Sequence, residues 1–206
     1  MMHAELDGIV CSGPLQGRRQ TYALVEALLP PTPTRARDEA LAELAGRYVA
    51  GHGPARSIDL AWWSGLTIRD ARRGLELAGP ALARETVGGR EFWTSASAND
   101  HASERQPSVR LLPNWDELLV AFRDRGDAID PGLSPAARAP MSLLANVVVR
   151  DGLVVGGWRR SQQGDAIRVT ARLDVALDAS ERAALHSAAA ELAAFLGRPG
   201  ATVAID

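Results

Sequence analysis

Two short segments in the first half of the chain have apolar residues at helical spacing and are separated by a glycine. In the first segment Ser57 can cap the opening turn, and Leu60 and Trp63 follow at a spacing of three. The segment breaks at Gly65, after which Thr67 is a second residue of the N-capping type. This pattern predicts a helix-turn-helix.

The residues after Thr67 divide into an apolar and a polar face of the second helix. The apolar positions are Ile68, Ala71, Leu75 and Ala78. The opposite face carries Arg69, Arg72, Arg73 and Glu76. DNA-binding proteins insert such a helix into the major groove, where guanidinium groups bond phosphates and guanine edges. We therefore predict that this arginine face contacts duplex DNA.

A predicted β-hairpin follows this helix. Residues 81–94 form two strand-like segments around Gly88 and Gly89, a pair suited to the positive φ of a tight turn. Upstream, residues 37–49 have apolar side chains on one helical face. A helix, a helix-turn-helix and a hairpin make a winged helix, which we assign to a domain of residues 30–96. The predicted DNA contacts are Thr67, Arg69, Arg72, Arg73, Arg84 and Arg90.

The first 29 residues resemble a wing without its helices. Strand-like segments at His3–Val10 and Thr21–Leu24 flank a glycine- and proline-containing turn. We interpret residues 1–29 as the remnant wing hairpin of a preceding winged helix, joined to the complete one by the proline-rich residues 30–35. Because small two-stranded elements are marginal alone, the hairpin predicts a homodimer that covers it.

The second half of the chain has the pattern of a sheet with one helix. Strand-like segments at 144–149 and 153–158 are separated by Asp151-Gly152, a strong hairpin signal. Residues 167–173 alternate between an apolar and an arginine-containing face, and a helix capped at Asp178 follows. We predict an α+β protein, in which residues 97–206 form a C-terminal antiparallel sheet or partial barrel with one helix.

Composition narrows the class of protein. The chain has 206 residues, 46% hydrophobic and 23% charged, which is ordinary for a soluble globular protein. The net charge of −2 means that DNA binding depends on a local patch, and every basic residue except the histidines is arginine. No apolar run reaches the roughly 18 residues of a membrane span, so we expect a cytoplasmic protein without a membrane partner. A single cysteine and scattered histidines predict no metal site, and we expect no cofactor.

Some polar and aromatic residues allow more than one interpretation. Asp116 and Glu117 have the pattern of a general acid/base pair, but an ion-paired structural network is more typical of such a cluster. His52 is expected to be a turn or capping residue. Adjacent helical residues point about 100° apart, so we expect one of Trp62 and Trp63 in the core and the other against a neighbouring element.

Four motifs carry a resemblance to a known family. The first comprises residues 2–8 (MHAELDG), 11–14 (CSGP) and 21–24 (TYAL), and the second comprises 51–55 (GHGPA) and 59–66 (DLAWWSGL). The third is 111–117 (LLPNWDE), and the fourth is 154–160 (VVGGWRR). In this order they resemble the bacterial winged-helix DNA-binding family that includes the AlkZ and YcaQ DNA glycosylases. The resemblance implies tandem winged helices around a DNA-binding channel, in proteins that remove alkylated or crosslinked bases.

The family's catalytic motif marks a departure from this pattern. In the glycosylases a Gln-x-Gln or Gln-x-Asp motif precedes the segment that matches residues 3–24, where this chain begins, and the adjacent Gln162 and Gln163 do not replace it. We therefore expect a DNA-binding protein without catalytic residues. The alternatives are a base-excision glycosylase whose N-terminal half lies upstream, and a noncatalytic interaction or dimerisation module.

Overall fold

The computed structural model describes residues 2–30, 33–97, 108–134 and 146–206. The chain divides into two compact units, Met1–Arg37 and Asp38–Asp206. The first two residues of the strand predicted at 144–149 lie outside the described residues. The predicted domain boundaries at residues 29 and 96 stay predictions.

The first unit contains a short antiparallel strand pair between short helices. Its elements are α1 (Met2–Leu6), β1 (Val10–Ser12), β2 (Tyr22–Leu24) and α2 (Val25–Leu28). The prediction of a strand from His3 onward is wrong, because residues 2–6 are helical. These residues include no β-branched side chain, and the chain leaves the helix through Gly8 at a φ of 69° before the β-branched Ile9 and Val10.

The second unit begins with the elements that the sequence predicts for a winged helix. They are α3 (Arg37–His52), α4 (Ser57–Ser64), α5 (Ile68–Leu77), β3 (Leu82–Val87) and β4 (Arg90–Ser95). Gly65 ends α4 in the left-handed conformation, with a φ of 73°. Strands β3 and β4 pair antiparallel around Gly88 and Gly89, both at positive φ. The predicted helices and hairpin are thus present in the predicted order, and their assignment to a winged helix stays a prediction.

A buried cluster joins these helices to the hairpin. Its members are Ala45, Tyr48, Val49, Ala55, Leu60, Ala71, Leu75 and Trp93. Ala55 and Trp93 exchange backbone hydrogen bonds of 3.0 and 2.8 Å, which attach the hairpin to the chain between α3 and α4. Ile68, predicted on the apolar stripe of α5, is exposed, and the buried positions of α5 are Ala71, Gly74 and Leu75.

The remaining strands form one open sheet in the order of the chain. They are β5 (Val109–Leu112), β6 (Val147–Arg150), β7 (Leu153–Gln163), β8 (Ala166–Leu173) and β9 (Ala201–Ile205). The expectation of an antiparallel sheet is wrong for the last pair, since β9 runs parallel to β8. Helix α7 (Ala179–Phe195) returns the chain between these strands, as a parallel connection requires.

Helix α7 covers one face of this sheet. Ile167 and Val169 of β8 are buried against Ala189 and Ala193 of α7. At its start, the Asp178 carboxylate accepts a bond of 2.8 Å from the backbone N–H of Glu181. This bond, together with one from the Ser180 hydroxyl, lowers the pKa of Asp178.

Residues 113–134, which we call the connecting segment, lie between β5 and β6 in the chain. They include α6 (Glu117–Val120). At the C-terminal end of the segment, the Asp130 backbone N–H donates to the Val154 carbonyl over 3.0 Å. The Asp130 carboxylate lies 3.0 Å from the Arg150 guanidinium of β6. The connecting segment is therefore bonded directly to the sheet.

Two helical glycines provide a test of the α3–α5 packing. A Cβ at Gly74 would lie 2.7 Å from the Leu41 carbonyl oxygen, whereas a Cβ at Gly46 would meet nothing within 4 Å. Gly74→Ala should lower the free energy of unfolding by about 1–3 kcal/mol through overpacking. The control Gly46→Ala should raise it by up to about 1 kcal/mol through helix propensity. Urea unfolding measures both, and equal effects of the two variants would contradict the close approach of α5 to α3.

Candidate nucleic-acid interface

The N-terminus of α5 is organised by Thr67. Its hydroxyl accepts a hydrogen bond from the Asp70 backbone N–H at 3.1 Å and donates one to the Asp70 carboxylate at 2.9 Å. These bonds satisfy one of the free N–H groups that begin the helix. The structure thus gives Thr67 a capping role, while its predicted contact with DNA stays a prediction.

The predicted arginines of α5 differ in their surroundings. Arg69 and Arg72 are exposed, and no other group within the described residues forms an ion pair or hydrogen bond with their side chains. Arg73 instead forms a bidentate ion pair with Asp38 that links α5 to α3. Its Nε donates to the Asp38 carboxylate at 2.7 Å. The hydrogen bond that Arg73 donates to Asp38 raises the pKa of Arg73. The arginine face is therefore partly neutralised from within the protein.

The hairpin arginines also have acidic partners. Arg84 lies 3.4 Å from Glu91 on the paired strand, and its guanidinium carbon is 5.7 Å from the centre of the Trp93 ring. Arg90 lies 2.9 Å from Asp127 and 4.0 Å from Asp124, both in the connecting segment. Its hydrogen bond with Asp127 raises the pKa of Arg90. The residues that the sequence groups as one DNA-contacting set thus have different electrostatic surroundings.

The adjacent tryptophans of α4 both contact the connecting segment. The Trp62 indole N–H donates to the Val120 carbonyl at 3.0 Å, and the Trp63 indole N–H donates to the Glu117 carboxylate at 2.8 Å. The side chains are 48% and 38% exposed, so the expectation that one lies in the core is wrong. The indole N–H groups explain why both side chains stay partly exposed. Each N–H needs a hydrogen-bond acceptor, and for both tryptophans the acceptor lies on the connecting segment.

The carboxylates of Asp116 and Glu117 have different partners. The Asp116 carboxylate caps α6 by accepting from the Leu118 backbone N–H at 3.0 Å. Glu117 accepts from Trp63 and lies 3.3 Å from the Nε2 of His52. The other ring nitrogen of His52 lies 3.0 Å from the Tyr48 carbonyl, which agrees with the expected capping role. These contacts fit the interpretation of the cluster as an ion-paired structural network.

A buried polar junction, formed by Tyr48, Asp59 and the main chain of the connecting segment, was missed by sequence reasoning. The Tyr48 hydroxyl donates to the Ala121 carbonyl at 2.8 Å. Asp59, only 3% exposed, accepts from the backbone N–H groups of Arg56 at 2.9 Å and Arg123 at 3.1 Å. The sequence offered one indication, which is that Asp59 is an acidic residue at the third position of a helix. This pattern is typical of N-terminal helix capping, but it does not identify a partner distant in the sequence.

The junction changes the acidity of Tyr48. Burial, followed by the negative charges of Asp59 and Glu117, raises the pKa of the phenol well above its ordinary value of 10.0. Tyr48 therefore stays neutral and able to donate to Ala121 through the alkaline range.

Within the described residues, no group of three or more metal-ligating side chains is positioned to bind a metal ion. In the same part of the chain, no helix combines the length and apolarity needed to cross a bilayer.

These features define an α+β protein with a helix-turn-helix, an attached hairpin and an exposed pair of arginines on the second helix. The family model described as DNA glycosylase AlkZ-like matches residues 1–195. The chain belongs to the AlkZ-like DNA glycosylase family.

A solved structure supports the same fold. The chain is similar to Streptomyces sahachiroi DNA glycosylase AlkZ, with a TM-score of 0.76 and 24% sequence identity. The match covers 97% of this chain and 55% of that protein, so the chain spans about half the length of that structure. A search of curated proteins finds no match.

The raised pKa of Tyr48 predicts how stability depends on alkaline pH. The contribution of Tyr48 to the free energy of unfolding is fully present below pH 10, the ordinary pKa of the phenol. This contribution is lost as the pH rises towards the higher pKa that Tyr48 has in the folded protein. Above pH 10 the free energy of unfolding should fall by up to about 1.4 kcal/mol per pH unit from this group. No lysine titration obscures the effect, because the basic side chains other than histidine are arginines.

Urea unfolding of Tyr48→Phe between pH 8 and 11.5 tests this linkage. The variant should be less stable by about 1–3 kcal/mol at pH 8, since the buried Ala121 carbonyl loses its donor. The stability of Tyr48→Phe should also lack the fall above pH 10 that Tyr48 causes. The control Tyr22→Phe removes an exposed hydroxyl, and its stability should still fall above pH 10. An unchanged alkaline decline in Tyr48→Phe would show that the junction does not control the ionisation.

Proposed function

We propose that this chain binds duplex DNA through α5, with Arg69 and Arg72 as the principal contacts to phosphate. The observation that supports this most directly is their exposure on the second helix of a helix-turn-helix, without a partner among the described side chains. Guanidinium groups in this position bond phosphate oxygens and guanine edges. The net charge of −2 favours a local interaction over a general affinity for polyanions.

The paired arginines have a secondary role in this proposal. Arg73, Arg84 and Arg90 remain partly exposed, and exposed ion pairs contribute little to stability. Each can exchange its carboxylate for a phosphate, but the exchange leaves an acidic group close to the DNA. Their net contribution to affinity is therefore smaller than that of Arg69 and Arg72.

Membership of the AlkZ-like family favours a role related to DNA repair. The similar solved structure is named a DNA glycosylase, and the match covers 55% of its length. Our proposal for this chain is the DNA-binding function, and base excision is the alternative. Incubation of the purified chain with alkylated duplex separates the two, because base release above a no-protein control supports the enzyme.

Salt dependence tests the contact helix. Replacing both Arg69 and Arg72 by alanine should reduce the slope of log affinity against log salt by about 1.8, since each phosphate contact contributes about 0.9. Fluorescence anisotropy of a labelled duplex across a salt series measures the slope. The control Arg182→Ala/Arg198→Ala removes the same charge elsewhere in the unit and should keep the slope. Equal slopes for wild type and the α5 variant would exclude α5 from the interface.

A second candidate is an interaction module that forms a homodimer. In the first unit, Leu6 is 78% exposed and Leu15 is 67% exposed, and no described residue of 2–30 is buried. Exposed apolar side chains at this density favour an interaction with another surface.

Light scattering tests this candidate directly. A homodimer should have a mass about twice the 21.9 kDa of the chain, and Leu6→Asp should shift it towards the monomer because the charge opposes burial. The control Glu5→Asp keeps the charge of the same helix and should leave the mass unchanged. A monomer at every concentration would eliminate the dimer.

A further inference from the structure

The last three strands are unusual in their charge. Strands β7, β8 and β9 contain no aspartate or glutamate, although the chain as a whole has more acidic than basic residues. The arginines of these strands are Arg159, Arg160, Arg168 and Arg172. The strands therefore carry a local positive charge on a chain with a net charge of −2.

The register of the strands assigns most of this charge to one face. Arg168 pairs directly with Ser161, and Thr170 pairs directly with Arg159. Side chains of directly paired residues project to the same side of a sheet, and successive residues along a strand project to opposite sides. Ile167 and Val169 are buried against α7. Arg159, Arg168 and Arg172 thus lie on the other face, which we call the outer face.

The charges of the outer face are largely uncompensated. Arg168 and Arg172 are exposed, and no ion pair or side-chain hydrogen bond involves them within the described ranges. Arg159 lies 3.6 Å from Asp206, in a pair whose side chains are both exposed. Such a pair is weak and screened by salt, so Arg159 keeps most of its capacity to bind an anion.

The composition of the outer face fits a phosphate backbone better than bases. Its neutral polar side chains include Ser161 and Thr170, whose hydroxyls can donate to phosphate oxygens, and Thr202, whose hydroxyl donates to the Gln163 side chain at 3.1 Å. No aromatic side chain occurs at the outer-face positions of β7, β8 and β9, so bases have no stacking surface there. Arg168 and Arg172 are four residues apart, or about 13 Å along the strand, a distance over which duplex DNA presents several phosphates.

We propose that the outer face is a second DNA-contacting surface, which binds the backbone of a duplex independently of base sequence. The inference rests on the proposed function for its ligand, duplex DNA, but uses a different set of residues. Arg168 and Arg172 provide the main contacts, and Arg159 joins them when phosphate displaces Asp206.

The experiment uses the full chain and a labelled duplex in a salt series. Arg168→Ala/Arg172→Ala should reduce the salt slope by about 1.8, and by the same amount on two duplexes of unrelated sequence. Arg168→Lys/Arg172→Lys should restore the slope, because counterion release depends on charge. The matched control is Arg160→Ala/Arg182→Ala, since Arg160 pairs with Val169 on the α7 face. Circular dichroism melts confirm that these exposed substitutions leave the protein folded.

The outcomes separate this inference from the proposed function. A reduced slope in the β8 variant, with the control unchanged, supports the outer face whatever the α5 variant does. A wild-type slope in the β8 variant overturns the outer face, and the proposed function stands if the α5 variant lowers the slope. An equal reduction of the salt slope in Arg168→Ala/Arg172→Ala and in the Arg160→Ala/Arg182→Ala control also overturns the outer-face proposal. Equal reductions would show that the slope depends on net charge alone. Absence of any duplex binding overturns both proposals.

Discussion

The architecture of the second unit depends on the buried carboxylate of Asp59. Burial of a charge is costly unless hydrogen bonds replace its water, and here backbone N–H groups of Arg56 and Arg123 do so. Arg56 precedes α4, whereas Arg123 belongs to the connecting segment, so one side chain joins the helix-turn-helix to the segment that follows β5 of the sheet. Tyr48 adds a second bond of this kind through the Ala121 carbonyl.

Acidic residues of the second unit reduce the number of positive charges that remain available. With the connecting segment bonded to α4, its Asp124 and Asp127 lie beside Arg90 of the hairpin, and Arg73 is held by Asp38 of α3. The acidic residues therefore neutralise the hairpin and one side of α5. The exposed charges that remain on α5 and on the outer face are the ones to which our two DNA-binding proposals assign phosphate contacts.

Local patterns predicted the elements where a single periodicity dominates. The helix-turn-helix, the hairpin at Gly88 and Gly89 and the capped helix at Asp178 follow from nearby residues and are present. Residues 2–6 were misassigned because a five-residue segment has too few positions to distinguish a helix from a strand. The parallel pairing of β9 was missed because the alternation of side chains is the same in either direction.

The sequence by itself determined the family, the α+β class and the residues that can carry positive charge, because motifs and periodicities are local properties of the chain. The tertiary structure alone decided which arginines are engaged. Asp38 and Asp127 lie 35 and 37 residues from their partners, Arg73 and Arg90. No spacing rule relates such positions, since the helices and strands between them set the distance. An arginine's capacity to bind DNA therefore depends on which carboxylates the fold brings within a few ångströms of it.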